Sequence, residues 1–513
     1  MLPTINSDDY PELIFALVGA VGTDLNKIQK ILEDELQKVN YASKHIKISG
    51  LIADTHVGKN LKSTSLEFED DRINAFMDAG DSFRKLKRNG DAVIRLGISK
   101  ILEAQTMPDS KPMPIPQKAY ILNSLKHPSE IKTLRTIYGD ALFVISVYEP
   151  KIKRKENLAK LIMHSRKKRN YDDFYPSAEK LIKRDEKEAN NDLGQNVRDT
   201  FPMGDVFIDA TEHEKTIKIQ IQRFIELLFG NPFITPTVDE YGMFHAFSIA
   251  LRSSDLSRQV GALITTDEGE FLSSGCNEVP KSNGNSVWEG PEYKQSCDYR
   301  DFQEGYDSNA RIKNEIFMEI FEQLKEHNWL SKDKQELTNI ELTKQALMKE
   351  SASEKVGPLY SVRATSLLEF GKVVHAEMTA ITEAARRGIS TRNMRLYCTT
   401  FPCHICARHI IASGIKKIIY IEPYPKSMTK ELYKKSVNVD HDDEHDNDAV
   451  LFYSFVGISP ERYMHFFKMK GKIKDSTGTV KKWTPTNTKP IITPAREYIM
   501  SEIAHIVNLG DSN

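Results

Sequence analysis

The stretch LYCTTFPCHIC (residues 396–406) contains two cysteines at C-x-x-C spacing, and the tripeptide HAE (residues 375–377) precedes it. Zinc prefers imidazole and thiolate ligands, and a catalytic zinc site uses three protein ligands and keeps a fourth position for water. His375, Cys403 and Cys406 are therefore the predicted ligands, and Zn2+ is the predicted cofactor.

Both motifs fall at predicted helix starts. Helices are predicted over 375–387 and 403–413, with a strand at 395–399 between them, and Pro402 suits a first-turn position. A helix N-terminus carries partial positive charge, which stabilises thiolates and bound hydroxide. Zinc held there would lower the pKa of its water to about 7.

Glu377 lies two residues beyond the histidine and is not needed as a ligand. A carboxylate beside a metal-bound water is placed for proton transfer, so Glu377 is the predicted catalytic residue. It would take the proton of the attacking water, deliver it to a ring nitrogen and then protonate the departing ammonia. A lone C-x-x-C is also typical of redox or structural sites, and structural zinc would need His404 or His409 as a fourth ligand. The two motifs in this order favour the catalytic alternative.

The composition of the whole chain excludes several classes of protein. It has 513 residues, 40% hydrophobic and 28% charged, with a mean hydropathy of -0.46 and a formal net charge of -1. Its longest early apolar run, 13–22, is shorter than the roughly 18–20 residues of a membrane helix and is predicted to be a buried strand, not a signal peptide. Five cysteines, three of them within nine residues, argue against a secreted disulfide framework. We expect a cytoplasmic protein that does not associate with membranes. Its net charge gives it no overall positive potential that would attract the backbone of a nucleic acid.

The pattern along the chain predicts an α/β protein with three parts. Residues 1–235 alternate strands and helices, which implies a parallel sheet. The strands are predicted at 13–18, 46–52, 120–122, 141–147 and 206–208. Residues 236–475 form a second domain with a long polar insert at 280–370, which has one clear helix near 312–327, and residues 476–513 form a C-terminal extension.

The first predicted strand leads into a glycine-containing loop and then a helix, which is the context of a phosphate-binding loop. Gly19, Gly22 and Thr23 are the candidate nucleotide-binding residues. The two glycines are only three residues apart, and no lysine follows Gly22. Kinase chemistry is therefore not expected, whereas backbone amides can still hold an anion. Regulatory nucleotide binding competes here with a structural role or with sensing of RNA or protein.

A basic stretch at 151–170 contains nine lysines and arginines and one acid. It is either a solvated helix face or a groove that contacts phosphates.

Zinc deaminases carry the signature H-x-E with P-C-x-x-C, and with it this chain resembles the cytidine and deoxycytidylate deaminase superfamily. The fold implied for residues 236–475 is a cytidine-deaminase-like α/β/α domain. Residues 252–262 and 275–280 also resemble segments of the deoxycytidylate deaminases. The resemblance implies that Asn277 holds the deoxyribose and makes Arg258 a candidate phosphate contact, although Arg258 could instead pack structurally. Cys297 is a further candidate ligand, and a free thiol is the stronger alternative.

The combination of domains resembles the bacterial anti-phage deoxycytidine nucleotide deaminases, in which a P-loop-kinase-like domain precedes the deaminase. The resemblance implies conversion of dCTP, and also of dCMP, to the uracil forms, which would deplete the nucleotide pool of a phage. It also implies a homo-oligomer and a regulatory nucleotide or RNA at the N-terminal domain. The alternative function is cytosine editing in RNA or DNA by the same zinc chemistry.

Overall fold

The computed structural model describes residues 9–59, 61, 67–106, 111–186, 188, 191–289, 298–348, 356–360, 362–367, 369–422, 427–439, 448–493 and 497–510. By their contacts the residues form two compact units, Met1–Phe244 with Ile418–Asn513, and His245–Lys417. These limits differ from the predicted domain limits at 235 and 475, and the division of the sequence into three domains stays a prediction.

The first unit contains a six-stranded sheet in the order β12-β5-β4-β1-β3-β2. Its interior strands are parallel, as predicted, and only the edge strand β12 is antiparallel. The mixed α/β class is confirmed, whereas the P-loop-kinase-like identity of this part stays a prediction. The strands are β1 Leu13–Gly19, β2 Ala42–Lys47, β3 Lys118–Leu125, β4 Leu142–Tyr148, β5 Val206–Asp209 and β12 Gly457–Ile458.

Helices cover this sheet and bury its apolar strands, since β1 and β4 are buried along their whole length. The helices of the first unit are Leu25–Lys38, Ile48–Ile52, Glu69–Leu86, Ala92–Gln105, Pro128–Tyr138, Lys151–Ser165, Tyr175–Glu186, Val197–Thr200, Glu214–Leu228, Val238–Ala250 (which runs on into the second unit), Thr429–Leu432, Tyr463–Phe467 and Tyr498–Gly510.

The predicted strand at 46–52 is wrong. The strand ends at Lys47, and a helix, Ile48–Ile52, follows it. Ile48 and Ile52 are both buried and stand four residues apart, so they face the core from one side of a helix, whereas a strand would need every second residue to be buried.

The basic stretch is mostly helical, over Lys151–Ser165, and its charges are largely paired. Six of its nine lysines and arginines form ion pairs with acidic residues. Arg166, for example, contacts Asp70 at 2.9 Å. The described structure therefore favours a solvated, paired face over an open phosphate groove.

A second six-stranded sheet has the order β10-β11-β9-β8-β6-β7. Strand β6 is antiparallel to both β7 and β8. The strands are β6 Gly261–Thr265, β7 Phe271–Cys276, β8 Arg395–Cys398, β9 Lys417–Tyr420, β10 Val437–Val439 and β11 Val450–Ser454.

Two helices of the second unit, Ala376–Arg386 and His404–Ala412, start where the motifs predict. The insert has more helix than the one predicted near 312–327, with four helices at Asp301–Glu304, Ser308–Glu326, Lys332–Gln335 and Asn339–Leu347. Two of them, Asp301–Glu304 and Lys332–Gln335, have only four residues and carry too little periodicity to be recognised in a sequence. Among the described helices, none combines the length and the apolar character needed to cross a bilayer.

Candidate metal centre and its cavity

The three predicted zinc ligands lie together at two helix starts. His375 is the N-cap of the helix Ala376–Arg386, and Cys403 is the N-cap of the helix His404–Ala412. His375 Nδ1 lies 3.4 Å from Cys403 Sγ and 3.3 Å from Cys406 Sγ. The three ligand atoms all lie within 4.8 Å of one another.

This donor set fits zinc. Zn–S and Zn–N bonds of about 2.3 and 2.0 Å in a tetrahedron separate nitrogen from sulfur by roughly 3.5 Å, which is close to both observed distances. Contacts with Cys406 and with His375 together lower the pKa of the Cys403 thiol to about 4. Cys403 is thus a thiolate at neutral pH, the state in which cysteine binds metal.

Glu377 lies in the first turn of the helix that His375 caps, and it is 3% exposed. Its Oε2 accepts a 3.4 Å hydrogen bond from Cys406 Sγ. Burial raises the pKa of this carboxyl group, and the negative Cys403 adds to the shift. A carboxyl group with a raised pKa beside a metal site can both accept and return a proton.

The backbone around the centre is anchored by Glu278, which is 1% exposed. Its backbone pairs with Val374 in an antiparallel bridge, directly before His375. Its carboxylate accepts bonds from the backbone amide of Ser254 at 3.0 Å and from the Ser254 hydroxyl at 2.7 Å. Glu278 therefore ties the segment before the metal ligands to the 254–260 segment.

Strand β7 approaches the helix Ala376–Arg386 so closely that only glycine fits at position 275. A Cβ atom there would lie 2.6 Å from the Ala376 carbonyl oxygen and from the Ala380 backbone nitrogen. This contact sets the distance between the sheet and the helix that carries Glu377.

A cavity of about 210 Å³ opens beside the centre. It is lined by five of the predicted site residues, His375, Glu377, Cys403, Asn277 and Arg258. Cys406 is fully buried and is not among the residues that line the cavity, and its sulfur lies 3.3 Å from His375 Nδ1. The structure therefore brings these residues together, while their roles stay predictions.

Both polar atoms of the Asn277 side chain already form hydrogen bonds with the protein backbone. Its Oδ1 accepts a 2.7 Å bond from the Val260 amide, and its Nδ2 donates a 2.8 Å bond to the Arg258 carbonyl oxygen. One Nδ2 hydrogen remains for a ligand. Arg258 is exposed at the cavity, so its position suits a ligand contact better than core packing.

Several residues that line the cavity were not predicted from the sequence. Asp301, Asp307 and Asn309 come from the insert, and Asp255 comes from the loop before Arg258. Asp255 could have been suspected, because it stands within the resembling segment 252–262. Nothing in the sequence indicated that the insert residues line a site, since they lie in a polar stretch without a recognisable motif.

Three further residues of the insert have structural contacts or cannot be placed. The Arg252 guanidinium stacks on Trp288 at 3.5 Å, and Asp298 pairs with Arg300 at 2.6 Å. Cys297 lies outside the described residues. Among the described residues, the three predicted ligands are the group of histidine, cysteine and acidic side chains that could hold a metal.

The glycine loop is present in the first unit, after β1. Gly19, Gly22 and Thr23 line a separate cavity. Gly22 has a φ of 93°, and a Cβ atom there would lie 2.6 Å from the Arg154 carbonyl oxygen. Glycine is required at this turn.

Residues 236–422 match the family model of the cytidine and deoxycytidylate deaminase zinc-binding region. The deoxycytidylate deaminase of Enterobacteria phage T2 is 48% identical over 54 residues, which cover 10% of this chain and 29% of the relative. ComE operon protein 2 of Bacillus subtilis (strain 168) is 40% identical over 53 residues, 10% of this chain and 28% of the relative. The chain thus spans less than a third of the length of these relatives. A crystal structure of dCMP deaminase from the cyanophage S-TIM5 shares 16% identity over 43% of this chain and 100% of that chain, with a TM-score of 0.21.

The family-model match and the two sequence relatives support a deaminase region of the cytidine and deoxycytidylate type within residues 236–422.

Proposed function

We propose that the chain is a zinc-dependent hydrolase that removes the amino group of deoxycytidine nucleotides, dCMP and dCTP, and yields the deoxyuridine forms and ammonia. The observation that carries this proposal is the position of Glu377. It is a buried carboxyl group 3.4 Å from Cys406 Sγ, on a cavity that His375 and Cys403 also line.

Zinc bound by His375, Cys403 and Cys406 would supply a Lewis acid and a water of lowered pKa. Glu377 takes a proton from the attacking water and passes it to N3 of the cytosine ring. It then takes the second proton from the hydroxyl group added at C4 and gives it to the amino group, so that the C4–N bond breaks, the carbonyl forms and ammonia departs. Its raised pKa suits this shuttle, because the group must hold the proton between the two transfers.

Asn277 and Arg258 provide the remaining contacts. The free Nδ2 hydrogen of Asn277 donates to the deoxyribose, while its other bonds hold the 258–260 backbone in place. Arg258 contacts the phosphate from the cavity mouth. The T2 relative is named a deoxycytidylate deaminase, which supports a deoxycytidine nucleotide as the substrate.

Depletion of the dCTP pool in defence against phage is the biological role we attach to this activity. This role rests on the resemblance of the domain combination to the anti-phage deoxycytidine nucleotide deaminases. The same resemblance is the basis for proposing a homo-oligomeric state and regulation by a nucleotide or an RNA at the N-terminal part. Cytosine editing in a polynucleotide has less support, since most charges of the basic stretch are paired within the chain.

The experiment compares the purified chain with Glu377→Gln on dCMP, dCTP, CTP and a cytosine-containing single-stranded oligonucleotide. Ammonia release and product identity are measured. Glu383→Gln is the matched control, because Glu383 lies on the same helix and pairs with Arg386 away from the cavity. We expect release from dCMP or dCTP that only Glu377→Gln abolishes, with a loss of at least about 1,000-fold. Turnover of the oligonucleotide alone would establish the editing alternative instead.

A further inference from the structure

The cavity beside the metal centre is lined in part by the insert, which contributes the side chains of Asp301, Asp307 and Asn309. Arg258 comes from another segment, the loop before β6, and it is the one lysine or arginine among the described residues that line the cavity. The two carboxylates of the insert therefore act, together with Arg258, on any charged substrate that enters.

The insert is fastened to the segment that leads into the metal centre. Lys372, three residues before His375, lies 3.2 Å from the Asp301 carboxylate. Asn309 Oδ1 accepts a 3.3 Å bond from the Phe370 backbone amide. These contacts hold the insert side chains of the cavity in place relative to His375.

The two aspartates of the insert differ in how their charges are paired. Asp301 pairs with Lys372 and accepts a 2.7 Å bond from the Ser308 hydroxyl. Asp307 is the N-cap of the insert helix that begins at Ser308, and its Oδ1 accepts a 2.7 Å bond from the Ala310 amide. Within the described part of the chain, no cation pairs with Asp307 and no donor reaches its Oδ2. Asp307 therefore presents a negative charge without a partner cation and an oxygen atom that can accept a hydrogen bond.

A free 5′-nucleotide and a nucleotide within a polynucleotide differ at the 3′ oxygen. The free nucleotide has a hydroxyl there, which donates a hydrogen bond, whereas the nucleotide in a polynucleotide has a phosphodiester, which is negatively charged and donates none. Arg258 is the proposed contact of the 5′-phosphate, which leaves the 3′ oxygen for the insert. A carboxylate at that place accepts the bond of the hydroxyl and repels the phosphodiester.

We propose that Asp307 is a specificity-determining residue, which restricts the substrate to free deoxycytidine nucleotides with an unmodified 3′-hydroxyl and excludes cytosine within a polynucleotide. Its Oδ2 accepts the hydrogen bond of the 3′-hydroxyl. This inference rests on the proposed deaminase function and deepens it, because it names the class of nucleotide that the cavity accepts.

The test compares ammonia release from dCMP and from deoxycytidine 3′,5′-bisphosphate, which differ only in the 3′-phosphate. The zinc-loaded parent chain should have a kcat/KM for dCMP at least about 100-fold above that for the bisphosphate. Asp307→Asn should lower this ratio about tenfold, because it removes the like charge. Asparagine is also a good N-cap residue, so the insert helix keeps its cap. A change that only disturbed the cavity wall would lower kcat/KM for both nucleotides and leave their ratio unchanged.

Glu315→Gln is the matched control. Glu315 lies on the helix that Asp307 caps, pairs with Arg311 and does not line the cavity, so its removal should leave the ratio at the parent value. An equal ratio in the parent chain and in Asp307→Asn would overturn this inference and leave the deaminase function in place. Ammonia release from neither nucleotide by the zinc-loaded parent chain would overturn the proposed function, and this inference with it.

A second measurement uses the unsubstituted chain and does not depend on any variant folding. The nucleotide 2′,3′-dideoxycytidine 5′-monophosphate lacks the 3′-hydroxyl but keeps the base and the 5′-phosphate. Its kcat/KM should be at least about tenfold below that of dCMP, because Asp307 then has no hydroxyl to accept from. Equal kcat/KM for the two nucleotides would also overturn the inference.

Discussion

Two properties of Glu377, its position in a helix and its burial, follow from different parts of the sequence. Its place two residues after His375 puts it in the first turn of a helix, and its burial comes from the sheet strand packed against that helix. The first could be predicted from the motif. The second depends on Gly275, which stands about a hundred residues earlier in the chain and carried no signal of this contact.

At the same scale, Arg258 tests whether the cavity binds a charged nucleotide. Arg258→Gln should raise KM for dCMP about fivefold and leave KM for deoxycytidine unchanged, because an exposed charge contact is worth roughly 1 kcal/mol or less. Steady-state kinetics on both substrates measures the difference. Arg392→Gln, an exposed arginine of the same unit that does not line the cavity, serves as the control. Equal increases for dCMP and deoxycytidine would show that Arg258 does not contact the phosphate.

Helices and strands were predicted well where the pattern of apolar residues or a motif defined them. The strands at 13–18, 141–147 and 206–208 match β1, β4 and β5 within a residue or so at each end. The prediction failed at 46–52, where an apolar run too short to distinguish strand from helix contains both. The insert walls of the cavity could not be foreseen, because Asp301 and Asn309 reach it only through tertiary packing.

The contact between β7 and the helix Ala376–Arg386 gives a prediction for an element. Gly275→Ala should push this helix away from the sheet, since its Cβ would lie 2.6 Å from backbone atoms that cannot rotate aside. We expect a stability loss of about 1–3 kcal/mol and weaker zinc binding. Competition with a chelator measures the zinc affinity, and thermal unfolding measures the stability. Gly471→Ala is the control, because nothing lies within 4 Å of its Cβ position. Equal zinc affinity in both variants would contradict this account of the helix position.

The C-terminal helix Tyr498–Gly510 carries a buried carboxyl group, Glu502. Burial raises its pKa to about 8, and the nearby Glu12 adds to the shift. Tyr138 donates a 2.7 Å bond to it. A folded-state pKa above the ordinary value of about 4.5 means that the folded chain keeps a proton that the unfolded chain loses.

The stabilisation by the protonated Glu502 is therefore complete below about pH 4.5 and is lost as the pH rises towards about 8. The free energy of unfolding should fall by at most about 1.4 kcal/mol per pH unit in this window from this group. Glu502→Gln should flatten the dependence, whereas Glu103→Gln, an exposed partner of Lys100, should not. Denaturant unfolding from pH 5 to 8 measures it, and identical slopes in all three chains would rule out this role of Glu502.

At the scale of the whole molecule, the metal motifs and the alternation of strands and helices predicted a mixed α/β chain with a metal centre in its later part. The assignment of the segment Ile418–Asn513 to the first compact unit was not predicted. β12 adds to the first sheet through only two residues, Gly457 and Ile458, and so short a strand leaves no periodic pattern in the sequence.

The most direct test of the central claim is a zinc titration of the whole chain. Metal is removed with a chelator, Zn2+ is added back in steps, and the rate of dUMP formation from dCMP and of dUTP formation from dCTP is followed. Activity should be lost on chelation and return in proportion to zinc, reaching its maximum at one zinc per chain, while His375→Ala stays inactive throughout. Full deamination by the chelated chain, or restored activity in His375→Ala, would contradict a zinc centre built from His375, Cys403 and Cys406.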